Sequence, residues 1–194
     1  MFTGIIEEIA EVIAIERNKS NVNFTLRANM ANALKVDQSL AHNGCCLTVV
    51  DQNEIEYKVT AIQETLDRTN LTDWSVGSRV NIERCMKADG RFDGHIVQGH
   101  VDCVATCEQI LDLDGSWKYT FSYSADHETV EKGSITVNGT SLTVVDSLEG
   151  SFSVCIIPYT YEHTNFNELC VGTLVNIEFD FFGKYIQKYM KKIG

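Results

Sequence analysis

The chain has 194 residues, 44% of them hydrophobic, which is enough to bury a core in one large domain or two small ones. Its 27 acidic side chains outnumber the 16 basic ones and give a formal net charge of -11 at pH 7. This charge argues against a surface that neutralises phosphates, so we expect neither nucleic acid nor membrane as a partner.

The first eight residues read MFTGIIEE, with no basic start and two carboxylates at once. They predict no secretory signal, and no apolar stretch approaches the length of a membrane span, so we expect a cytoplasmic protein. Seven cysteines in a chain without an export signal predict free thiols. Cys103 and Cys107 are four residues apart but lack a second pair of ligands at metal-site spacing, and we expect no metal.

The chain contains an internal repeat with an offset of 95 residues. NGCCLTVVD (43–51) and NGTSLTVVD (138–146) share seven of nine residues, and VGSRVNIE (76–83) matches VGTLVNIE (171–178) at the same spacing. The weaker match of 62–70 with 157–165 keeps this offset. Three separated blocks at one offset predict two copies of one fold.

In chain order, each copy is predicted to consist of short strands separated by turns. The segments NFTLR (23–27) and KYTFS (118–122) alternate polar and apolar side chains, and the Asn-Gly pairs are typical of turns. About six such strands per copy suit a small closed barrel. Beyond Phe182, apolar residues recur at helical spacing. We predict an all-β fold with barrels at 1–88 and 89–184 and a short helix at 185–194.

Polar side chains directly follow both Asn-Gly pairs. Because side chains alternate along a strand, Cys46 and Thr48 share one face while Leu47 points to the other. Ser141 and Thr143 hold the same places in the second copy. These pairs are candidate ligand contacts, and the alternative is that they are solvated or bonded to backbone.

His100 breaks the repeat, because its counterpart is Ile5. An imidazole can act as an acid or base near neutral pH, or hold an oxyanion, and the alternative is a polar turn residue without a role. Thr65 and Thr160 correspond, and so do Glu64 and Tyr159. The retained threonine suits a ligand contact.

Four stretches carry a resemblance that covers nearly the whole chain in order: MFTGIIE (1–7), AHNGCCLTV (41–49), ETL with TNL (64–71) and GHV (99–101). They resemble the riboflavin synthase family. The resemblance implies Greek-key barrels and a homotrimer, assembled with the help of the C-terminal helix, in which the first barrel of one subunit faces the second barrel of its neighbour. It also implies that two molecules of 6,7-dimethyl-8-ribityllumazine become riboflavin and 5-amino-6-ribitylamino-uracildione, with no metal, flavin or nicotinamide cofactor. Lumazine synthase is a further candidate partner.

The resemblance also implies ligand contacts by position. Those of the first barrel would be Gly4, Ile5, Ile6, Cys46, Leu47, Thr48, Thr60, Ala61, Ile62, Gln63, Glu64 and Thr65, with Ser39 at the facing site. Those of the second would be Gly99, His100, Val101, Lys132, Ser141, Leu142, Thr143, Cys155, Ile156, Ile157, Pro158, Tyr159 and Thr160.

Four of these residues are the expected catalytic groups. We expect His100 and Ser141 to act on the lumazine in the second barrel, where a proton leaves the 7-methyl group. Cys46 and Thr48 would act on its partner, which needs a nucleophile at C7. Three positions depart from the family pattern: Asn138 stands where many relatives carry Asp, and Tyr159 and Tyr161 stand where relatives often carry Glu and Leu.

Two other functions are compatible with parts of the sequence. A non-catalytic lumazine- or flavin-binding protein of the same fold could let its second pocket decay, but His100, Ser141, Thr143 and Thr160 are all present and favour the enzyme. A flavin-binding barrel cut from a reductase would need a nucleotide-binding half, and no Gly-x-Gly-x-x-Gly follows any strand.

Overall fold

The computed structural model describes residues 1–124 and 127–193. Within these ranges the chain forms two closed antiparallel barrels of six strands each. The first barrel consists of β1 (Glu8–Asn18), β2 (Asn21–Arg27), β3 (Ser39–His42), β4 (Cys45–Gln52), β5 (Glu56–Ala61) and β6 (Arg79–Arg84). The second consists of β7 (Cys103–Asp112), β8 (Trp117–Tyr123), β9 (Ser134–Val137), β10 (Thr140–Leu148), β11 (Ser151–Ile156) and β12 (Leu174–Phe179).

The strand order around the first barrel is β1-β2-β5-β4-β3-β6, and the second barrel repeats it with β7-β8-β11-β10-β9-β12. In each, three strands joined by hairpins are followed by a strand that returns beside the first of the three, which is a Greek key. Closure leaves neither barrel with an open sheet edge. The predicted pair of six-stranded barrels is therefore confirmed.

Short helices connect or follow the strands: α1 (Gln63–Arg68), α2 (Pro158–His163), α3 (Phe181–Ile193), and the 3-10 helices Asn29–Ala33, Asn70–Asp73 and Asn165–Glu168. The C-terminal helix α3 begins at Phe181, four residues before the predicted start at Tyr185. The reason is Asp180, whose carboxylate accepts a hydrogen bond of 2.9 Å from the Phe182 N–H and so caps the first turn.

The two Asn-Gly pairs form the β3–β4 and β9–β10 hairpins. Asn43 and Gly44 have φ angles of 45° and 79°, and Asn138 and Gly139 have 44° and 80°. A two-residue turn with positive φ at both positions matches the right-handed twist of the strands, and Asn-Gly is the pair that best adopts it. The turn geometry thus follows from the sequence and is the same in both copies.

Each barrel has its own apolar core. Phe24, Leu40 and Val59 lie in the first core, and Phe121 and Val154 lie in the second. Full burial of one such side chain contributes roughly 1.5–3 kcal/mol, so either core can support its own barrel. A third, smaller cluster of Phe2, Ala41 and Val97 packs against Cys46 and Cys85.

Buried asparagines join the barrels around an approximate two-fold axis. The Asn81 side chain donates to the Asn138 carbonyl, and its counterpart Asn176 donates to the Asn43 carbonyl, both at 2.9 Å. The Asn165 N–H donates to the Asn81 side chain at 2.8 Å. The Asn138 side chain also accepts a bond of 2.9 Å from the Asn176 N–H at this interface. The reciprocal bonds fix how one barrel is turned against the other.

Candidate functional site

The predicted polar pairs lie on the outer surface of each barrel. Cys46 is half-buried and Thr48 is exposed, whereas Leu47 points into the first core. In the second barrel, Ser141 is half-buried and Thr143 is exposed. The alternation of faces expected along β4 and β10 is therefore observed, and a ligand of these side chains would lie outside the barrel rather than inside it.

Around Cys46 and Thr48, polar groups come from two neighbouring strands. Ser39 on β3 lies directly opposite Thr48. On the other side lies Thr60, the last but one residue of β5, whose hydroxyl donates to the Asn23 side chain at 2.8 Å. The start of α1 follows, with Ile62, Gln63 and Glu64 exposed and Thr65 half-buried. Ala61 is buried in the core, so it and Leu47 can offer a ligand only their backbone.

The second barrel repeats this surface with different side chains. Ile157, Pro158 and Tyr159 are exposed at the start of α2, and Cys155 is exposed at the end of β11. Thr160 is half-buried, as its counterpart Thr65 is. The backbone N–H of exposed Lys132 donates to the Val144 carbonyl of β10 at 3.0 Å. Ile156 is buried and Leu142 packs against the core, so both would contact a ligand through backbone only.

A histidine that the sequence analysis did not select contacts Ser141. His95 Nδ1 lies 2.6 Å from Ser141 Oγ, and its Nε2 lies 3.2 Å from the hydroxyl of Thr136, which pairs with Ser141 across β9 and β10. Burial lowers the pKa of His95, and nearby Asp180 offsets part of this effect. The imidazole is therefore neutral near pH 7 and can accept the Ser141 proton when its Nε2–H points to Thr136.

The segments that precede the two barrels are exchanged. The Gly4 carbonyl accepts a hydrogen bond of 2.8 Å from the Ser141 N–H of the second barrel. The Gly99 carbonyl accepts one of 2.9 Å from the Cys46 N–H of the first. A Cβ on Gly99 would lie only 2.7 Å from the Cys46 Cβ, so this approach requires glycine. Val101 packs against the first core.

This exchange corrects the expected grouping of residues. The resemblance places Gly4, Ile5 and Ile6 in the first barrel, but the Gly4 carbonyl is bonded to β10 of the second. It places Gly99, His100 and Val101 in the second barrel, but the Gly99 carbonyl is bonded to β4 of the first. Ile5, by contrast, lines a cavity with Gln38, Glu83 and Arg84 of the first barrel. The grouping therefore changes only where the chain crosses, because position in the chain does not reveal such a crossing.

The expected pairing of His100 with Ser141 changes for the same reason. His100 is exposed, and it follows Gly99 beside Cys46. The residue that pairs with Ser141 is His95, which lies at the end of the connection between the copies and has no counterpart in the first copy. A histidine within bonding reach of a serine 46 residues away leaves no local sequence signal.

The thiol of Cys46 is protonated near neutral pH. Burial raises its pKa, and a hydrogen bond with the Ser39 side chain offsets part of this effect. A neutral thiol needs a base before it can act as a nucleophile. All seven cysteines are free thiols, as predicted.

Small-molecule ligands occupy cavities of roughly 300–1,000 Å³ in proteins. A cavity of about 460 Å³ opens beside the first segment. Its walls include Thr3, Ile5, Gln38, Glu83 and Arg84. Gln38 adjoins Ser39, so the cavity extends the polar surface of the first barrel toward the exchanged segment.

Among the described residues, no helix has the length and apolar character needed to cross a membrane.

Comparison with known proteins identifies the family. A family model described as the lumazine binding domain matches residues 3–85 and 98–180, once in each barrel. Riboflavin synthase of Actinobacillus pleuropneumoniae is 40% identical over 195 residues, which cover 99% of this chain and 91% of the relative. The chain belongs to the riboflavin synthase family. Riboflavin synthase of Mycobacterium bovis is 41% identical over 203 residues, with 100% of both chains covered.

Solved structures support the same fold. LumP in complex with riboflavin matches with a TM-score of 0.85 at 22% identity, over 92% of this chain and 99% of that chain. LumP in complex with 6,7-dimethyl-8-(1'-D-ribityl) lumazine matches with a TM-score of 0.84 at 21% identity, over 92% and 98%. At this identity the likeness concerns the tandem barrels alone, while family membership rests on the relatives above.

Proposed function

We propose that the protein is a riboflavin synthase, which converts two molecules of 6,7-dimethyl-8-ribityllumazine into riboflavin and 5-amino-6-ribitylamino-uracildione. A four-carbon unit passes from one lumazine to the other. The observation that carries the proposal is the duplicated outer surface, with Cys46 and Thr48 in one barrel and Ser141 and Thr143 at the equivalent places in the other. A reaction between two copies of one substrate needs two similar sites, and stacking them together supplies much of the rate.

The second barrel is the proposed site of proton removal. The Ser141 hydroxyl, 2.6 Å from the neutral imidazole of His95, can take part in moving the acidic proton of the 7-methyl group to His95. Thr136, bonded to the other ring nitrogen, would hold the imidazole in the required tautomer. Ser141 and His95 are thus the proposed catalytic pair, with His95 in the role first expected of His100.

The first barrel is the proposed site of the acceptor lumazine, which needs a nucleophile added at C7. Cys46 and Thr48 face outward there, and His100 lies on the segment bonded to the Cys46 backbone. Because the Cys46 thiol is protonated near neutral pH, its proton must leave as it adds. The exposed imidazole of His100 is the proposed acceptor of that proton.

The proposed sites also require a neighbouring copy. Ile62 and Ile157, which border the two surfaces, are 52% and 58% exposed, which is too open for a site that excludes water. We propose a homotrimer in which the first barrel of one subunit covers the second barrel of the next. On α3, Phe182, Ile186 and Met190 are at least 60% exposed and provide an apolar face for assembly. Sedimentation of the full chain and of a chain ending at Asp180 tests this, and an unchanged oligomer after truncation would contradict it.

The rival function is a protein of the same fold that binds lumazine or flavin without turnover. Incubation of the purified protein with the lumazine alone separates the two, because riboflavin absorbance appears only if the chain is catalytic. The His95–Ser141 contact favours the enzyme, since a binding protein has no use for a base next to a hydroxyl.

Two further expectations belong to this proposal. We also propose a cytoplasmic location, and fractionation of cells that express the chain tests it. Lumazine synthase is a candidate partner because its product is the substrate, and co-sedimentation of the two purified proteins tests the association.

A further inference from the structure

Two buried glutamates hold the exchanged segments. Glu83 on β6 and Glu178 on β12 are equivalent in the repeat and only 5% and 2% exposed. Glu83 Oε1 accepts hydrogen bonds from the Thr3 N–H at 2.6 Å and the Thr3 hydroxyl at 2.7 Å. Its Oε2 accepts one from the Gly4 N–H at 3.0 Å. The N-terminal segment is therefore fixed by a carboxylate of the first barrel.

Glu178 does the same for the second segment. It accepts from the N–H groups of Gln98 at 2.7 Å, of Gly99 at 2.9 Å and of His100 at 2.9 Å. Three donors converge on two oxygens in both places, which suits a carboxylate. A glutamine would present an NH2 group to at least one of these donors.

Each held segment reaches the other barrel. The carbonyl of Thr3, which Glu83 holds, accepts a hydrogen bond of 3.1 Å from the His95 N–H. The carbonyl of Gly4 accepts one of 2.8 Å from the Ser141 N–H. Glu83 of the first barrel is therefore linked to His95 and to Ser141 of the second barrel, in each case through two successive hydrogen bonds.

The second segment makes the reciprocal connection. Gly99, held by Glu178, accepts from the Cys46 N–H at 2.9 Å, and the neighbouring His100 N–H is itself bonded to Glu178. Glu178 of the second barrel is thus linked to the groups proposed to act in the first.

We propose that Glu83 and Glu178 are positioning residues with crossed effects: Glu83 aligns His95 with Ser141 in the second barrel, and Glu178 aligns His100 with Cys46 in the first. The expected effects on turnover rest on the proposed function. The crossed effects on His95 and Cys46 rest on these hydrogen bonds, and in the first barrel also on the Glu178 carboxylate, whose charge helps to raise the pKa of the Cys46 thiol. Both effects can be measured without substrate.

The test uses Glu83→Gln and Glu178→Gln in the full chain. Matched controls are Glu54→Gln and Glu149→Gln, because these glutamates are also equivalent in the repeat and both lie exposed in turns. The rate at which iodoacetamide alkylates Cys46, followed by peptide mass spectrometry, reports on the first barrel. The NMR titration of the His95 imidazole reports on the second.

We expect Glu178→Gln to raise the alkylation rate of Cys46 several-fold and to leave the His95 titration unchanged. Glu83→Gln should move the pKa of His95 up toward its ordinary value and leave Cys46 unchanged. Each substitution should lower kcat by about 10- to 100-fold with a smaller change in KM, since misplacement of reacting groups by about 1 Å has effects of this order. The two control variants should match the parent chain in all three measurements.

Changes confined to the barrel that carries the substitution, equal changes in both barrels, or no change at either reporter would each overturn the proposal. If a glutamine variant does not fold, Glu83→Asp and Glu178→Asp shorten the carboxylate while keeping its charge, and the same crossed pattern is required of them. A parent chain without turnover would contradict the proposed function, while the two reporters would still decide the crossed positioning.

Discussion

Gly44 and Gly139, which occupy the same place in the two copies, lie against each other where the barrels meet. A Cβ built on Gly44 would lie 2.9 Å from the Gly139 backbone nitrogen, and one built on Gly139 would lie 2.7 Å from the Gly44 nitrogen. The two hairpin turns therefore touch through their backbones, and this contact brings the asparagines on either side within bonding distance.

Substitution of Gly44 by alanine should destabilise the protein through two effects. Its φ of 79° costs a side-chain-bearing residue about 1–2 kcal/mol, and the clash with Gly139 adds about 1–3 kcal/mol. Gly172→Ala is the control, because its φ is 92° but a Cβ there meets nothing within 4 Å. Urea unfolding should show a larger decrease in the free energy of unfolding for Gly44→Ala than for Gly172→Ala. Equal decreases would contradict the close contact between the two turns.

The first barrel should respond to acid more strongly than the second. His42 is fully buried, and its Nε2 lies 3.0 Å from the Tyr57 hydroxyl. The second barrel has Val137 and Phe152 at the equivalent positions. Burial lowers the pKa of His42 to about 4 from an ordinary 6.5. Below pH 6.5 the unfolded chain therefore takes up a proton that the folded chain does not.

The free energy of unfolding should fall by about 1.4 kcal/mol per pH unit between pH 6.5 and about 4, or about 3 kcal/mol in total, from this group. The double substitution His42→Val with Tyr57→Phe copies the second barrel and should remove this part of the acid sensitivity. His42→Val alone should be less stable at pH 7, because it leaves the buried Tyr57 hydroxyl without its partner. Urea unfolding at pH 7 and pH 4.5 measures both, and an unchanged pH slope in the double variant would contradict the prediction.

Turnover should depend on the neutral form of His95. Ser141→Ala and His95→Ala should each lower kcat by about 100- to 10,000-fold, with little change in KM, if both groups act mainly in the transition state. Because burial lowers the pKa of His95, kcat/KM of the parent chain should fall with decreasing pH only below the ordinary pKa of 6.5. His95→Ala should lose this acidic decline, and exposed Ser20→Ala should behave as the parent chain.

His100→Ala should also lower kcat, but through the first barrel. A rise in KM at unchanged kcat for Ser141→Ala, His95→Ala or His100→Ala would assign that residue to substrate positioning instead.

The fold could be predicted from the sequence because its signals are local or repeated. The Asn-Gly turns at 43–44 and 138–139 define their own hairpins, and the alternation around Cys46 and Thr48 follows from strand geometry. The offset of 95 residues marks equivalent positions in both barrels. These features need no knowledge of which segments meet in space.

The pairing of groups within the candidate site could not be predicted in the same way. Glu83 and Glu178 stand out in the repeat, but their partners are backbone N–H groups, which any sequence provides. The exchange of Gly4 and Gly99 between barrels likewise depends on backbone bonds, and His95, which contacts Ser141, is itself bonded through its N–H to the Thr3 carbonyl of the first exchanged segment. The residue types were visible, and their contacts were set by the arrangement of the two barrels.

The isolated first half, residues 1–92, should fold, because β1 to β6 close on themselves around their own core. In the full chain the Cys46 N–H bonds to the Gly99 carbonyl, and this fragment lacks Gly99. Gly4 of a second fragment can take the place of Gly99, because the two glycines are equivalent in the repeat. Asn43 and the other interface asparagines of the first copy likewise correspond to the interface asparagines of the second copy. Two fragments should therefore pair about a true two-fold axis in place of the approximate one.

The paired fragment should bind riboflavin or the lumazine without converting it. It keeps Cys46, Thr48 and Thr65, so the outer surface that follows the first Asn-Gly turn is intact, but it lacks His95 and Ser141 and so cannot remove the 7-methyl proton. Flavin fluorescence titration measures binding, sedimentation measures pairing, and riboflavin absorbance measures turnover. Gly4→Ala is the matched variant. In the full chain a Cβ on Gly4 would lie 2.6 Å from the Cβ of Ser141, the residue equivalent to Cys46. The substitution should therefore block pairing and leave the fragment monomeric. A fragment that turns over lumazine at a rate near that of the full chain would show that the second barrel supplies no essential group, and the roles given to His95 and Ser141 would have to be withdrawn.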